Sequence, residues 1–100
     1  MNTKWIQFTV EPQMALVFKE ELLRLEEASR LESGCRYYAA FEDESAAGRF
    51  TVLESWEDLA ALERHRAAAH TERFKTACSA MIVDKSALSL KPLNRSLSPL

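Results

Sequence analysis

A strand–turn–strand unit in the middle of the chain most narrows the fold. CRYYAAF, residues 35–41, is rich in aromatics and reads as a strand. EDESAAG is a polar connection ending at Gly48, and RFTVLES, residues 49–55, reads as the next strand. So short a link joins neighbouring antiparallel strands in a hairpin. Alternation puts Phe50, Val52 and Glu54 on one face and Thr51, Leu53 and Ser55 on the other. A two-stranded hairpin is at best marginal in water, so the flanking segments must cover it.

Upstream, WIQFTV at 5–10 alternates, with Ile6, Phe8 and Val10 on one side and Trp5, Gln7 and Thr9 on the other. Pro12 suits a helix start. Met14, Val17, Phe18, Leu22, Leu25 and Ala28 then recur at helical spacing, giving an amphipathic helix over 14–31. Gly34 ends it in a left-handed cap. Downstream, Ser55 is the expected cap of a short helix over 57–64, with Asp58 in the acidic position of a capping box. Helical composition continues through AAAHTERFKTACSAMIV to about residue 82. ALSLKPL, residues 87–93, alternates as a last strand, and Pro92 places its end at a sheet edge.

The order β-α-β-β-α-β predicts an α+β, ferredoxin-like fold with a four-stranded antiparallel sheet and helices over one face. One hundred residues suit a single domain, 1–93, with a tail at 94–100. Aromatic and branched residues occupy both strand faces, so the uncovered face calls for a second subunit, by closing a barrel or by stacking sheets.

Charge and motif content remove several function classes. Thirteen basic and fifteen acidic residues give a net charge of -2, with no long basic run for nucleic acid. No apolar run is long enough for a membrane span, and the N-terminus has no secretory pattern. Two cysteines, Cys35 and Cys78, without a CxxC pair fit free thiols in a cytoplasmic protein. No HExxH, acidic cluster or cofactor motif occurs, so neither metal nor cofactor is expected.

Four stretches, ESGCRYYAAFED, GRFTVLESWED, ALERH and HTERF, together resemble the antibiotic biosynthesis monooxygenase family. Gly34, Cys35, Tyr38, Phe50, Glu54, Trp56, His65, His70 and Phe74 carry the likeness, which spans about residues 4–93. The resemblance implies a homodimer with a dimeric α+β barrel. It also implies a cofactor-independent monooxygenase that oxidises a small aromatic or quinol-like molecule with dioxygen. Two alternatives remain on the same scaffold: an isomerase or other enzyme for a small signalling metabolite, and a non-catalytic dimeric binder. A related haem-degrading branch is disfavoured, since strand one has no Asn.

Among candidate residues, His65 stands first as a catalytic base, because a neutral imidazole can take a phenolic proton at neutral pH. Trp56 offers a wall for an aromatic ligand. Tyr37 and Tyr38 point to opposite faces, and Arg36, on the Tyr38 side, would meet Glu54 or an anionic ligand. Phe18 belongs to a helix stripe whose outer end can line a cavity, and His70 is a rim residue. Glu54 and Gly34 read as structural. On one continuous helix His65 and His70 would stand about 140° apart and share no site unless a kink intervenes.

Overall fold

The computed structural model describes residues 1–94. The strands are β1 (Asn2–Val10), β2 (Cys35–Glu42), β3 (Arg49–Trp56) and β4 (Ile82–Leu90). β1 starts three residues before the expected Trp5, so strand one does contain an asparagine, Asn2, and its expected absence no longer argues against the haem-degrading branch. The helices are α1 (Ala15–Arg30), α2 (Leu59–Ala67) and α3 (Ala69–Cys78), with 3-10 turns at Pro12–Met14 and Ser79–Met81. Apart from Asn94, the tail expected at 94–100 lies outside the described residues. All pairings are antiparallel in the order β2-β3-β1-β4, the ferredoxin-like arrangement.

The expected barrel is not formed. Closure would require the two end strands to pair. Here β3 and β1 separate β2 from β4, so the sheet is open with two edges. The last strand also begins five residues earlier than expected. Helical composition runs through the chain there, but β1 is long enough to pair from Thr3 to Val10 and draws Ile82–Leu90 into the sheet. Tertiary pairing has overridden local propensity. Asp58, not Ser55, caps α2: its Oδ1 accepts from the Ala61 N–H at 2.8 Å. Ser55 is fully buried and shares a 2.9 Å hydrogen bond with Thr3 across β1 and β3.

The core lies between the helices and one sheet face. Phe18 of α1 is fully buried, with ring centroids 5.0 Å from Phe50, 5.4 Å from Phe8 and 5.6 Å from Phe74. Burying each such ring stabilises the fold by roughly 1.5–3 kcal/mol. On the opposite face Thr3, Ala39, Leu53 and Ser55 are buried, but large apolar side chains around them are exposed. There Trp5 is 40% exposed and its cross-strand partner Leu88 is 60% exposed, with Phe41 and Leu90 on the same side.

Both glycines are required where they stand. Gly48 has φ +84°, and a Cβ there would come 2.5 Å from the Val10 carbonyl oxygen. Gly34 has φ +86°, and a Cβ would come 2.6 Å from the Ala61 Cβ. Its carbonyl accepts from the Glu57 N–H at 2.8 Å. Gly34 does not cap α1 as expected: Leu31, in right-handed conformation, is the C-cap, and Gly34 sets the loop after it tightly against the start of α2, which builds the site described next.

Candidate functional site

The site begins with a break in the helical region. Ala68, at ψ 149°, ends α2 and starts α3 in a new direction. The Thr71 hydroxyl donates to the His65 carbonyl at 2.6 Å, taking a bond that a continuous helix would give to the backbone. The kink swings α3 so that His65 and His70 meet after all. His65 Nδ1 lies 2.6 Å, and His70 Nε2 lies 2.7 Å, from the same oxygen, Oε2 of Glu32.

An ionised carboxylate only accepts, so each histidine donates an N–H to Glu32. A neutral His65 then carries its proton on Nδ1 and keeps a lone pair on Nε2, the form a general base needs. The three donor atoms lie within 4.8 Å of one another, which is near enough to consider a metal ion. An ion bound at about 2.0–2.2 Å by all three would hold them roughly 3 Å or more apart. In this structure the separations are 2.6 and 2.7 Å, those of charge-assisted hydrogen bonds.

His65 is held on a second side by Trp56, whose ring stacks on it at 4.4 Å and 28°. The Trp56 Nε1–H donates to Glu54 Oε1 at 3.1 Å. Glu54 is buried between Lys4 of β1 and Tyr38 of β2, its cross-strand neighbours. Burial pushes its carboxyl above the usual carboxylate range, against the Trp56 hydrogen bond and the charges of His65, Arg66 and Lys4. Burial, and then the Glu54 charge, also hold the Tyr38 hydroxyl well above the ordinary tyrosine range. Tyr38 is thus a neutral O–H donor at physiological pH.

A cavity of about 640 Å³ opens beside these groups, between β1 and β4 on one side and the kinked helices on the other. His65, Glu54 and Tyr38 reach it, and Ile6, Phe8, Leu25, Phe74, Ile82 and Ala87 give it apolar walls. The size suits a small polycyclic ligand. Lys4, Arg66, Lys75 and Lys85 also line it.

The other residues singled out from sequence take different places. Trp56 is fully buried behind His65 and is not part of the cavity wall. Phe18 sits in the core, and His70 backs Glu32 from outside the cavity. The register skips Arg36, which is exposed in a bulge between Cys35 and Tyr37 and so leaves the face of Tyr38. Its expected meeting with Glu54 does not occur; Arg36 and Tyr37 line a separate hollow of about 220 Å³ with Arg30, Cys35 and Tyr38. Burial raises both thiols, Cys78 to about 11, so neither is a ready nucleophile. Sequence reasoning missed Glu32 and the four cations. Glu32 is 33 residues from His65, and nothing in local spacing links them.

Comparison with known proteins places this geometry in a wider group. Residues 1–77 match the family described as "Antibiotic biosynthesis monooxygenase". The Bacillus subtilis (strain 168) protein YcnE is 35% identical over 65 residues, covering 65% of this chain and 68% of its own. The crystal structure of PA3566 from Pseudomonas aeruginosa superposes with a TM-score of 0.88 at 32% identity, over 93% of this chain and 94% of that one. Rv0793 from Mycobacterium tuberculosis, at 21% identity, shares the fold with a TM-score of 0.87 over 96% of this chain and 98% of its own.

Proposed function

The chain belongs to the antibiotic biosynthesis monooxygenase family, and from that premise we propose that it oxidises a small aromatic or quinol-like molecule with dioxygen, without a cofactor. One observation carries the reading: a buried histidine, bonded through Nδ1 to a carboxylate, stands at the wall of a largely apolar cavity. In the proposed reaction His65 Nε2 takes the proton of a phenol or enol. The resulting anion gives electrons to dioxygen far more readily than its neutral parent. For a methylene activated by phenolic rings, the carbon becomes a carbonyl; one oxygen atom stays in the product and the other leaves as water.

Each neighbour has a part in this scheme. Glu32 balances the imidazolium charge of His65 while the proton is held there. Trp56 fixes the ring plane. Tyr38, kept protonated, donates a hydrogen bond to the substrate oxygen. Ile6, Phe8, Leu25 and Phe74 give the substrate ring apolar contacts.

The functional unit is proposed to be a homodimer, with a second copy stacked on the sheet face that carries Trp5; the exposed Trp5–Leu88 pair supports it. Two unpaired thiols favour a cytoplasmic setting. No helix among the described residues is long and apolar enough to cross a membrane.

The test is oxygen uptake with a panel of hydroquinones and anthrone-like compounds, run under labelled dioxygen. The expected outcome is one labelled atom in the product per dioxygen consumed. Turnover without label, as in an isomerisation, rejects the oxygenase reading.

A further inference from the structure

We propose that the ligand of this cavity carries an anionic group, a carboxylate or a phosphate, on its aromatic body. The inference rests on the reading of the cavity as a site for aromatic molecules and adds the charge that such a molecule must bear.

The chain as a whole has a net charge of -2. The cavity lining reverses that balance: Lys4, Arg66, Lys75 and Lys85 face one carboxylate, Glu54. The four cations come from four different elements, β1, α2, α3 and β4, so no local run of basic residues explains their meeting. Only Lys75 has an ion-pair partner among the described residues, Glu72 at 3.5 Å. Lys4 donates to the Ser89 hydroxyl at 2.7 Å, and Lys85 lies 5.7 Å above the Phe8 ring. Arg66 has no ion-pair partner among the described residues. Cations gathered over an apolar floor focus a positive field into the cavity.

A ligand that satisfies both features lays its ring on Ile6, Phe8 and Phe74 and turns its anion toward Arg66 and Lys85. A guanidinium suits either oxyanion, since its planar donors pair with two oxygens at once. The anion would orient the ring before proton removal by His65, rather than take part in it.

The test uses the full chain and three probes of one shape, 1-naphthol, 1-naphthoate and 1-naphthyl phosphate, with binding read by calorimetry in the absence of dioxygen so that none can turn over. At low salt at least one anion should bind about tenfold or more tighter than 1-naphthol. That preference should shrink at about 0.5 M salt, where screening is strong. Arg66→Gln and Lys85→Gln alter exposed side chains, so both should fold. Each should reduce the anion preference severalfold and leave 1-naphthol unchanged. The tighter anion identifies the group as carboxylate or phosphate. Equal affinity for all three probes, or a preference that survives both variants, overturns the proposal and leaves the aromatic cavity standing. Failure of all three to bind rejects both. Anion preference without oxygen uptake would keep this inference and reject the oxygenase reading.

Discussion

Two halves of the same sheet face end differently. Under α1, the face is sealed by aromatic rings: Phe18 meets Phe50 and Phe8 with no space between them for a ligand. Between β1, β4 and the kinked helices, the face stays open and holds the cavity. The first half is stabilised by packing. The second exposes polar groups that packing would otherwise have excluded. The contrast teaches that in a domain this small the aromatic half supplies the stability that allows the other half to remain hollow.

Substitutions on each side should separate the two roles. Phe18→Ala strikes the sealed half and should lower unfolding free energy by about 3–5 kcal/mol, measured by urea denaturation. A much smaller loss would mean that the rings are less tightly packed than their separations indicate. His65→Ala strikes the open half. Turnover should fall by roughly 100-fold or more, as loss of a general base requires, while the proposed dimer is unaffected in sedimentation. Unchanged turnover would remove His65 from the mechanism.

Glu32→Gln sharpens the division further. It keeps an acceptor for the His65 N–H but removes the charge, so turnover should fall by about tenfold with little change in KM. An equal loss of stability and activity would mark Glu32 as a packing residue of the sealed kind.

The smallest effect concerns Glu54, whose carboxyl is raised in the folded state. The folded chain holds this proton to a higher pH than the unfolded chain does. Its contribution to stability is therefore most favourable below the ordinary glutamate range and declines as pH rises through the raised value. Glu54→Gln should abolish that decline in urea midpoints measured across pH, because Gln can still accept from Trp56. A decline that persists in the variant assigns it to another group.

Much of the fold was legible from residue order. Period-two alternation in WIQFTV and RFTVLES, helical spacing from Met14 to Ala28, and the two glycines each describe local geometry, and local geometry follows from nearby residues. The last strand was harder to place, because its early residues have no alternation and gain their form from pairing with β1. Arg36 was misplaced for a related reason: a bulge shifts the alternation by one residue, and no motif in CRYYAAF announces it.

The candidate site divides along the same line. Sequence by itself determined that His65 and His70 lie in a helical region after a strand ending in Glu54 and Trp56. It also determined that a break in that region would be needed for the histidines to meet. Only the tertiary structure decided that the break occurs, that Glu32 receives both imidazoles, and that four distant cations share one cavity. It also decided that the sheet stays open. Helix direction after Ala68 and the docking of Gly34 on Ala61 are set by contacts between residues far apart in the chain, and periodicity carries no record of those.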